Sequence, residues 1–181
     1  MPGSPSDHLR RRRSRDYADF ADFVAARQHA LHRAAYLMVG DVGLAEDLVQ
    51  EALTKTYQAW PRLRSKGNPE TYVRTAITTT AITWFRRRSW TGERVSAELP
   101  ERSSVGHAEG VTDGAWLWDC LQRLPVRQRV AVVLRYYEDL TEAQTAEVMG
   151  CAVGTVKSQV SAALTKLRLD PSVLQNQAVT R

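Results

Sequence analysis

Leu140–Arg168 is LTEAQTAEVMGCAVGTVKSQVSAALTKLR, two short helical stretches joined by a tight turn. Thr141 followed three residues later by Gln144 is a capping box, so a helix starts there. The helix runs through Ala146 and Met149 and stops at Gly150, a residue that tolerates positive φ. After a short turn, Val156, Val160, Ala163, Leu164 and Leu167 recur at helical spacing and make one apolar stripe. The other side carries Thr155, Lys157, Ser158, Gln159, Ser161, Ala162 and Thr165, which are small and polar with one cation. A helix enters the DNA major groove only if its outer face is slim and offers hydrogen bonds. The stretch therefore reads as a helix–turn–helix whose second helix lies against DNA. An ordinary helical hairpin with a solvated face is the competing reading.

The chain of 181 residues has room for one ordinary domain or two small ones. No apolar run is long enough to span a bilayer, and no apolar segment follows the basic N-terminus as a secretory signal requires. A cytoplasmic protein is expected. Cys120 and Cys151 read as reduced, buried thiols. The net charge of +5 is unevenly spread: residues 1–90 hold 15 basic and 9 acidic side chains, and residues 91–181 hold 10 and 11. The half with the DNA-reading motif is not basic, so part of its nucleic-acid affinity must come from elsewhere.

Residues 1–15 are Pro/Ser-rich and then strongly basic, the composition of a disordered tail. A first helix is marked by Tyr17, Phe20, Val24, Leu31, Ala34 and Met38 and ends at Gly40. Asp41 caps a second, with Leu44, Leu48, Val49, Ala52 and Thr56 on its apolar face, expected to end at Pro61. A loop from Arg62 to Gly67 leads to Asn68-Pro69-Glu70, an N-cap, an N1 proline and a first-turn acid in the preferred order. The third helix runs through Tyr72, Ala76 and Thr80 to Arg86–Arg88, with Trp84 on the apolar period. Residues 91–112 are rich in Gly, Ser and Glu without apolar period and read as a linker. A second unit starts near Asp113. Trp116, Leu117, Cys120, Leu121 and Leu124 form a short helix stopping before Pro125, and Val126–Tyr137 forms another. No strand signal is present. The expected fold is all-α, with two small helical domains at 16–90 and 113–170, a linker at 91–112 and a tail at 171–181.

Four motifs in order, GLAEDLVQEALTKTYQAW (Gly43–Trp60), NPETYVRTAITTTAITWFRRR (Asn68–Arg88), LQRLPVRQRVAVVLRYYEDLT (Leu121–Thr141) and MGCAVGTVKSQVSAALTKLR (Met149–Arg168), resemble the extracytoplasmic-function class of the sigma-70 family. The resemblance covers about Asp16 to Arg168, and the actinobacterial branch is the most similar. It implies a non-catalytic specificity subunit that docks on core RNA polymerase and lets the holoenzyme recognise and open promoters. It implies that Glu46, Asp47, Gln50 and Glu51 contact the clamp helices of the largest polymerase subunit, and that the second unit meets the flap of the second-largest. It implies −10 contacts by Arg64, Ser65, Lys66 and Asn68 on a base-holding loop, by Arg74, Thr75, Thr78 and Thr79 on the exposed face of the third helix, and by Arg86, Arg87 and Arg88 on phosphate. Trp90 could stack on a base. For the −35 element it implies Thr155, Lys157, Ser158, Gln159, Ser161 and Ala162 in the groove, with Arg127, Arg129, Thr141 and Arg168 at phosphates. Glu93, Glu98, Glu101 and Glu109 on the linker would mimic nucleic acid in the polymerase cleft. An anti-sigma protein is an expected partner, a membrane is not.

The chain departs from the family pattern in three places. Relatives often carry Arg-Asn at Thr78-Thr79, Arg at Gln159 and Ala162, and a Ser or Thr cap at Ala152. Fewer Arg–guanine contacts and weaker intrinsic DNA affinity are expected. Catalysis is not: there is no phosphate-binding Gly-rich loop, nucleophile elbow or CxxC. His29 and His32 share a helix face, but no third ligand accompanies them and no metal or other cofactor is expected. A dimeric helix–turn–helix repressor and a structural helical protein are the alternatives, and neither needs an acidic docking helix.

Overall fold

A computed structural model describes residues 5–90 and 118–170, with side chains from residue 15 onward except those of Lys66 and residues 88–90. The described residues are helical and contain no strand. The first unit is three helices, α1 (Pro5–Val39), α2 (Val42–Lys66) and α3 (Pro69–Trp90). The second begins with α4, described over residues 118–122, and continues with α5 (Val126–Val132), a π-helical turn (Val133–Tyr137), α6 (Glu142–Met149) and α7 (Val153–Arg168). None of the described helices is long and apolar enough to cross a membrane.

Local chemistry sets the element ends. Gly40 at φ +82° closes α1, and Asp41 caps α2 by accepting from the Leu44 amide at 2.7 Å. Asn68 Oδ1 accepts from the Glu70 and Thr71 amides and starts α3. Thr141 and Gln144 form the capping box, and Gly150 sits at φ +60° between α6 and α7.

Two boundaries differ from the sequence expectation. Helix α1 starts at Pro5, so it takes in most of the stretch read as a disordered tail. A proline is favoured in the first helical turn, and the arginines after it are good helix formers. Helix α2 does not end at Pro61 but runs through it to Lys66. An interior proline costs about 3 kcal/mol. Tertiary contacts offset it: Leu63 is buried, and Arg64 pairs with Asp16 and Asp19 of α1 at 3.1 and 2.6 Å.

The core of the first unit joins Leu31, Ala35 and Met38 of α1 to Leu48, Val49 and Ala52 of α2 and Val73, Ile77 and Ala81 of α3. An aromatic group, Phe20, Phe23, Tyr57 and Trp60, extends it between α1 and α2. Trp84 packs against this core, as its spacing indicates. Val130, Leu134, Val148 and Val156 of the second unit belong to the same continuous cluster, so the two units are docked on one another. Leu37 of α1 also packs on Leu121, Leu124, Val132 and Ala163. The linker expected at 91–112, with its four glutamates, and the tail at 171–181 lie outside the described residues.

Candidate nucleic-acid interface

Helix α7 is held by its inner edge. Val156 and Ala163 are fully buried, while Val160, Leu164 and Leu167 are half-buried along the same stripe. Lys157, Ser158, Ser161, Thr165 and Arg168 are exposed, and Thr155, Gln159 and Ala162 are partly so. The structure thus brings the whole expected groove-reading set onto one helix, with no bulky side chain on its outer side. Lys157 reaches Glu142 of α6 at 3.5 Å, an exposed pair that water screens. Ala152 caps α7 without a side-chain hydrogen bond, so its first amides are not blocked by a capping side chain. Thr141 is exposed at the start of α6, and Arg127 is exposed on α5.

Arg129 is a correction. Expected as a phosphate anchor, it is 4% exposed. One guanidinium nitrogen donates to Gln122 Oε1, and the cation lies 5.4 Å from the Phe85 ring centre. Burial pulls its pKa down from the ordinary arginine value to about 10. The period of α5 turns this side chain toward α3 rather than toward solvent.

On α2, Glu46, Asp47 and Gln50 are exposed and Glu51 is partly so, with Glu51 bonded to Lys55 at 2.6 Å. They form an acidic and amide-bearing ridge opposite Ala45, Leu48, Val49 and Ala52.

The expected base-holding loop is shorter than the sequence suggested. Because α2 continues to Lys66, Arg64, Ser65 and Lys66 stand on a helix, and only Gly67 and Asn68 join it to α3. Arg64 is engaged by Asp16 and Asp19, and its pKa is raised, chiefly by the hydrogen bond to Asp19. Ser65 donates to the carbonyls of Pro61 and Arg62. Asn68 is occupied as the α3 cap.

The exposed face expected on α3 is also only partly present. Thr79 is exposed and Thr75 half-buried, each hydroxyl donating to a carbonyl one turn back. Arg86 and Arg87 are exposed at the far end, and the side chains of Arg88 and Trp90 lie outside the described residues. Thr78 is 0% exposed. Arg74 is half-buried between Glu70 at 2.9 Å and Glu138 at 2.6 Å. Sequence spacing put Thr78 and Arg74 on a solvent face. That face is covered by the second unit, which a single-helix period cannot reveal.

Residues the sequence reading missed all lie at this contact: Phe85, Gln122 and Glu138, and Tyr36 stacked on Trp118 at 5.6 Å. Burial, then Asp119 and Asp41, push the Tyr36 phenol above its usual value. Cys120 is buried and Cys151 half-buried, with no disulfide between them. Among the described residues no group of three or more His, Cys, Asp or Glu could hold a metal, and His29 is exposed.

Residues 23–91 match the family model for sigma-70 region 2, and residues 114–167 match that for sigma-70 region 4. The chain is 38% identical over 151 residues to the RNA polymerase sigma-E factor of Streptomyces coelicolor, covering 83% of this chain and 84% of the relative. It is 31% identical over 160 residues to the ECF RNA polymerase sigma factor SigL of Mycobacterium tuberculosis, covering 85% and 89%. The sigma factor RpoE of Bartonella quintana, solved with the anti-sigma factor NepR, superimposes with a TM-score of 0.68 at 25% identity over 83% of this chain and 94% of that one. With its two helical units, its helix–turn–helix and these relatives, the chain belongs to the sigma-70 family as an extracytoplasmic-function sigma factor of the actinobacterial kind, a non-catalytic subunit that directs RNA polymerase to initiate transcription.

Proposed function

We propose a division of labour between three helices. The α2 ridge of Glu46, Asp47, Gln50 and Glu51 docks on the clamp helices of the largest polymerase subunit. An acidic and amide face suits a basic partner helix and steers its approach. Helix α3 and its junction with α2 hold the separated −10 strand. Arg74, Arg86, Arg87 and Arg88 meet its phosphates, and Asn68, Thr75, Thr78 and Thr79 line its path with Arg64, Ser65 and Lys66 alongside. Strand capture needs cations along the backbone and a place for an unstacked base.

Helix α7 reads the −35 duplex through Thr155, Lys157, Ser158, Gln159, Ser161 and Ala162. Thr141, Arg127 and Arg168 fix its register on phosphate, and the second unit rests on the flap of the second-largest subunit. The observation that carries this reading is the slim polar side of α7, anchored from behind by Val156 and Ala163. Gln159 and Ala162 replace two guanine-reading arginines, so the −35 preference leans on shape and on shorter side chains. The two units span 16–90 and 113–170 with a tether at 91–112, and the protein works in the cytoplasm, where the polymerase is. An anti-sigma protein regulates it. Support comes from the Bartonella quintana relative, which was solved with one bound.

The test is reconstitution. The purified chain is mixed with core polymerase, and the mixture is assayed by gel filtration and by run-off transcription on a genomic promoter library. Co-elution and RNA from defined start sites are expected. Tight duplex binding without polymerase, with no start site, would instead indicate a free-standing repressor.

A further inference from the structure

Arg74, Thr78, Ala81 and Phe85 recur at i, i+4, i+7 and i+11 along α3 and form one stripe. Both ends of the stripe touch the second unit. At one end Arg74 Nε donates to Glu138 Oε2 at 2.6 Å, and at the other the Arg129 cation lies over Phe85. Thr78 and Ala81, between them, are 0% exposed. The contact continues onto α1. Gln122 donates to the Leu37 carbonyl at 3.3 Å, and its amide fills the space that a Cβ at Gly40 would need. Arg33 lies 5.9 Å from the Tyr137 ring.

The contact is partly apolar, continuous with the core, and partly polar. The Thr78 hydroxyl and Arg129 Nε are buried with no hydrogen-bond partner, and among the described residues no carboxylate pairs with Arg129. Buried groups left in that state are costly, and separating the units returns them to water. A cleft of about 160 Å³ also remains at the Arg74 end, lined by Phe23, Arg27, Glu70, Arg74, Tyr137 and Glu138. Glu138 itself stands between the π-helical turn and Asp139, whose φ of +52° is rare for a residue with a side chain. That irregular corner delivers the carboxylate to Arg74.

The chemistry of the pair gives it a meaning. A carboxylate offers an arginine the same anionic oxygens as a nucleic-acid phosphate. Glu138 therefore occupies on Arg74 the place that a strand phosphate would take. We infer that the second unit is an internal lid on α3, latched by Glu138 on Arg74, and that single-stranded DNA and the lid compete for the Arg74–Phe85 stripe. The competition rests on the reading of α3 as the strand-holding helix, whereas the latch does not.

The full-length chain tests it without polymerase. Glu138→Arg sets two cations against each other and lifts the lid. The radius of gyration from small-angle X-ray scattering increases, and amide exchange over residues 74–85 accelerates. Binding of a short random-sequence single-stranded oligonucleotide, read by fluorescence anisotropy, tightens about tenfold if the wild type is open about a tenth of the time. The charge swap Arg74→Glu with Glu138→Arg recloses the chain but does not bind the oligonucleotide, which excludes misfolding as the cause of expansion. If Glu138→Arg stays as compact and as protected as the wild type, the latch is wrong. If it opens and oligonucleotide binding does not change, the latch stands, but the competition fails together with the assignment of α3 to the strand.

Discussion

The Arg129 guanidinium lies 5.4 Å from the centre of the Phe85 ring, joining the second helical unit to the first through a buried cation. Removing the charge while keeping the volume tests how that contact is balanced. Buried ions replaced by apolar groups of similar size often leave a protein as stable or more stable by about 1–4 kcal/mol. Arg129→Met is expected to fall in that range in denaturant unfolding. A loss above about 2 kcal/mol would show that the ring and Gln122 contacts outweigh the desolvation of the ion.

The same residue gives a pH dependence. Its folded pKa of about 10 lies below that of an ordinary arginine, so the unfolded chain binds more protons between the two values. Stability attributable to Arg129 therefore rises with pH across that window, and its penalty is complete below about 10. The stability gap between Arg129→Met and wild type should narrow as pH is raised above 10. A constant gap would mean that burial does not perturb this group.

Thr141 and Gln144 satisfy the first amides of α6, and α6 supports α7. Thr141→Ala should cost about 1 kcal/mol. In a chain of this size that lowers the thermal midpoint by about 2–4 °C in a calorimetric scan. An unchanged midpoint would mean that packing alone holds the α6 start.

On α7, Arg168→Ala and Gln159→Arg should separate positioning from reading. The first removes one phosphate partner, weakening holoenzyme binding on every promoter and lowering the salt slope by about one. The second introduces a bidentate donor and should shift the −35 preference toward guanine by about 1–3 kcal/mol. Unchanged base preference and affinity after Gln159→Arg would remove this face as the reader.

Glu46 and Asp47 are exposed on α2, so reversing both to lysine should leave the melting temperature within about 1–2 °C of wild type. Binding to core polymerase should weaken at least about tenfold, measured by surface-immobilised core, if the ridge faces a basic partner. Full affinity in the double variant would place the docking surface elsewhere.

Much of this molecule was legible one helix at a time. Asp41, Asn68 and Thr141 announce helix starts and Gly40 and Gly150 announce ends, because caps are satisfied within a few residues of chain. The exposed polar side of α7 was legible for the same reason, since a 3.6-residue period separates Val156 and Ala163 from Lys157 and Ser161 without outside help. Pro61 was misleading because its local cost is overridden by Leu63 burial and by the aspartates of α1, which the α2 sequence does not contain.

The amino-acid order carries the inventory: all-helical units, a helix–turn–helix with a slim polar face, an acidic ridge and a third helix with basic residues at its far end. Which of those faces is free depends on how the two units pack. Thr78, Arg74 and Arg129 have the composition of exposed contacts, yet they are covered because the second unit packs across α3. A helical period tells which side chains share a side. Burial depends on what another part of the chain, here sixty-four residues away from Arg74 at Glu138, brings against it.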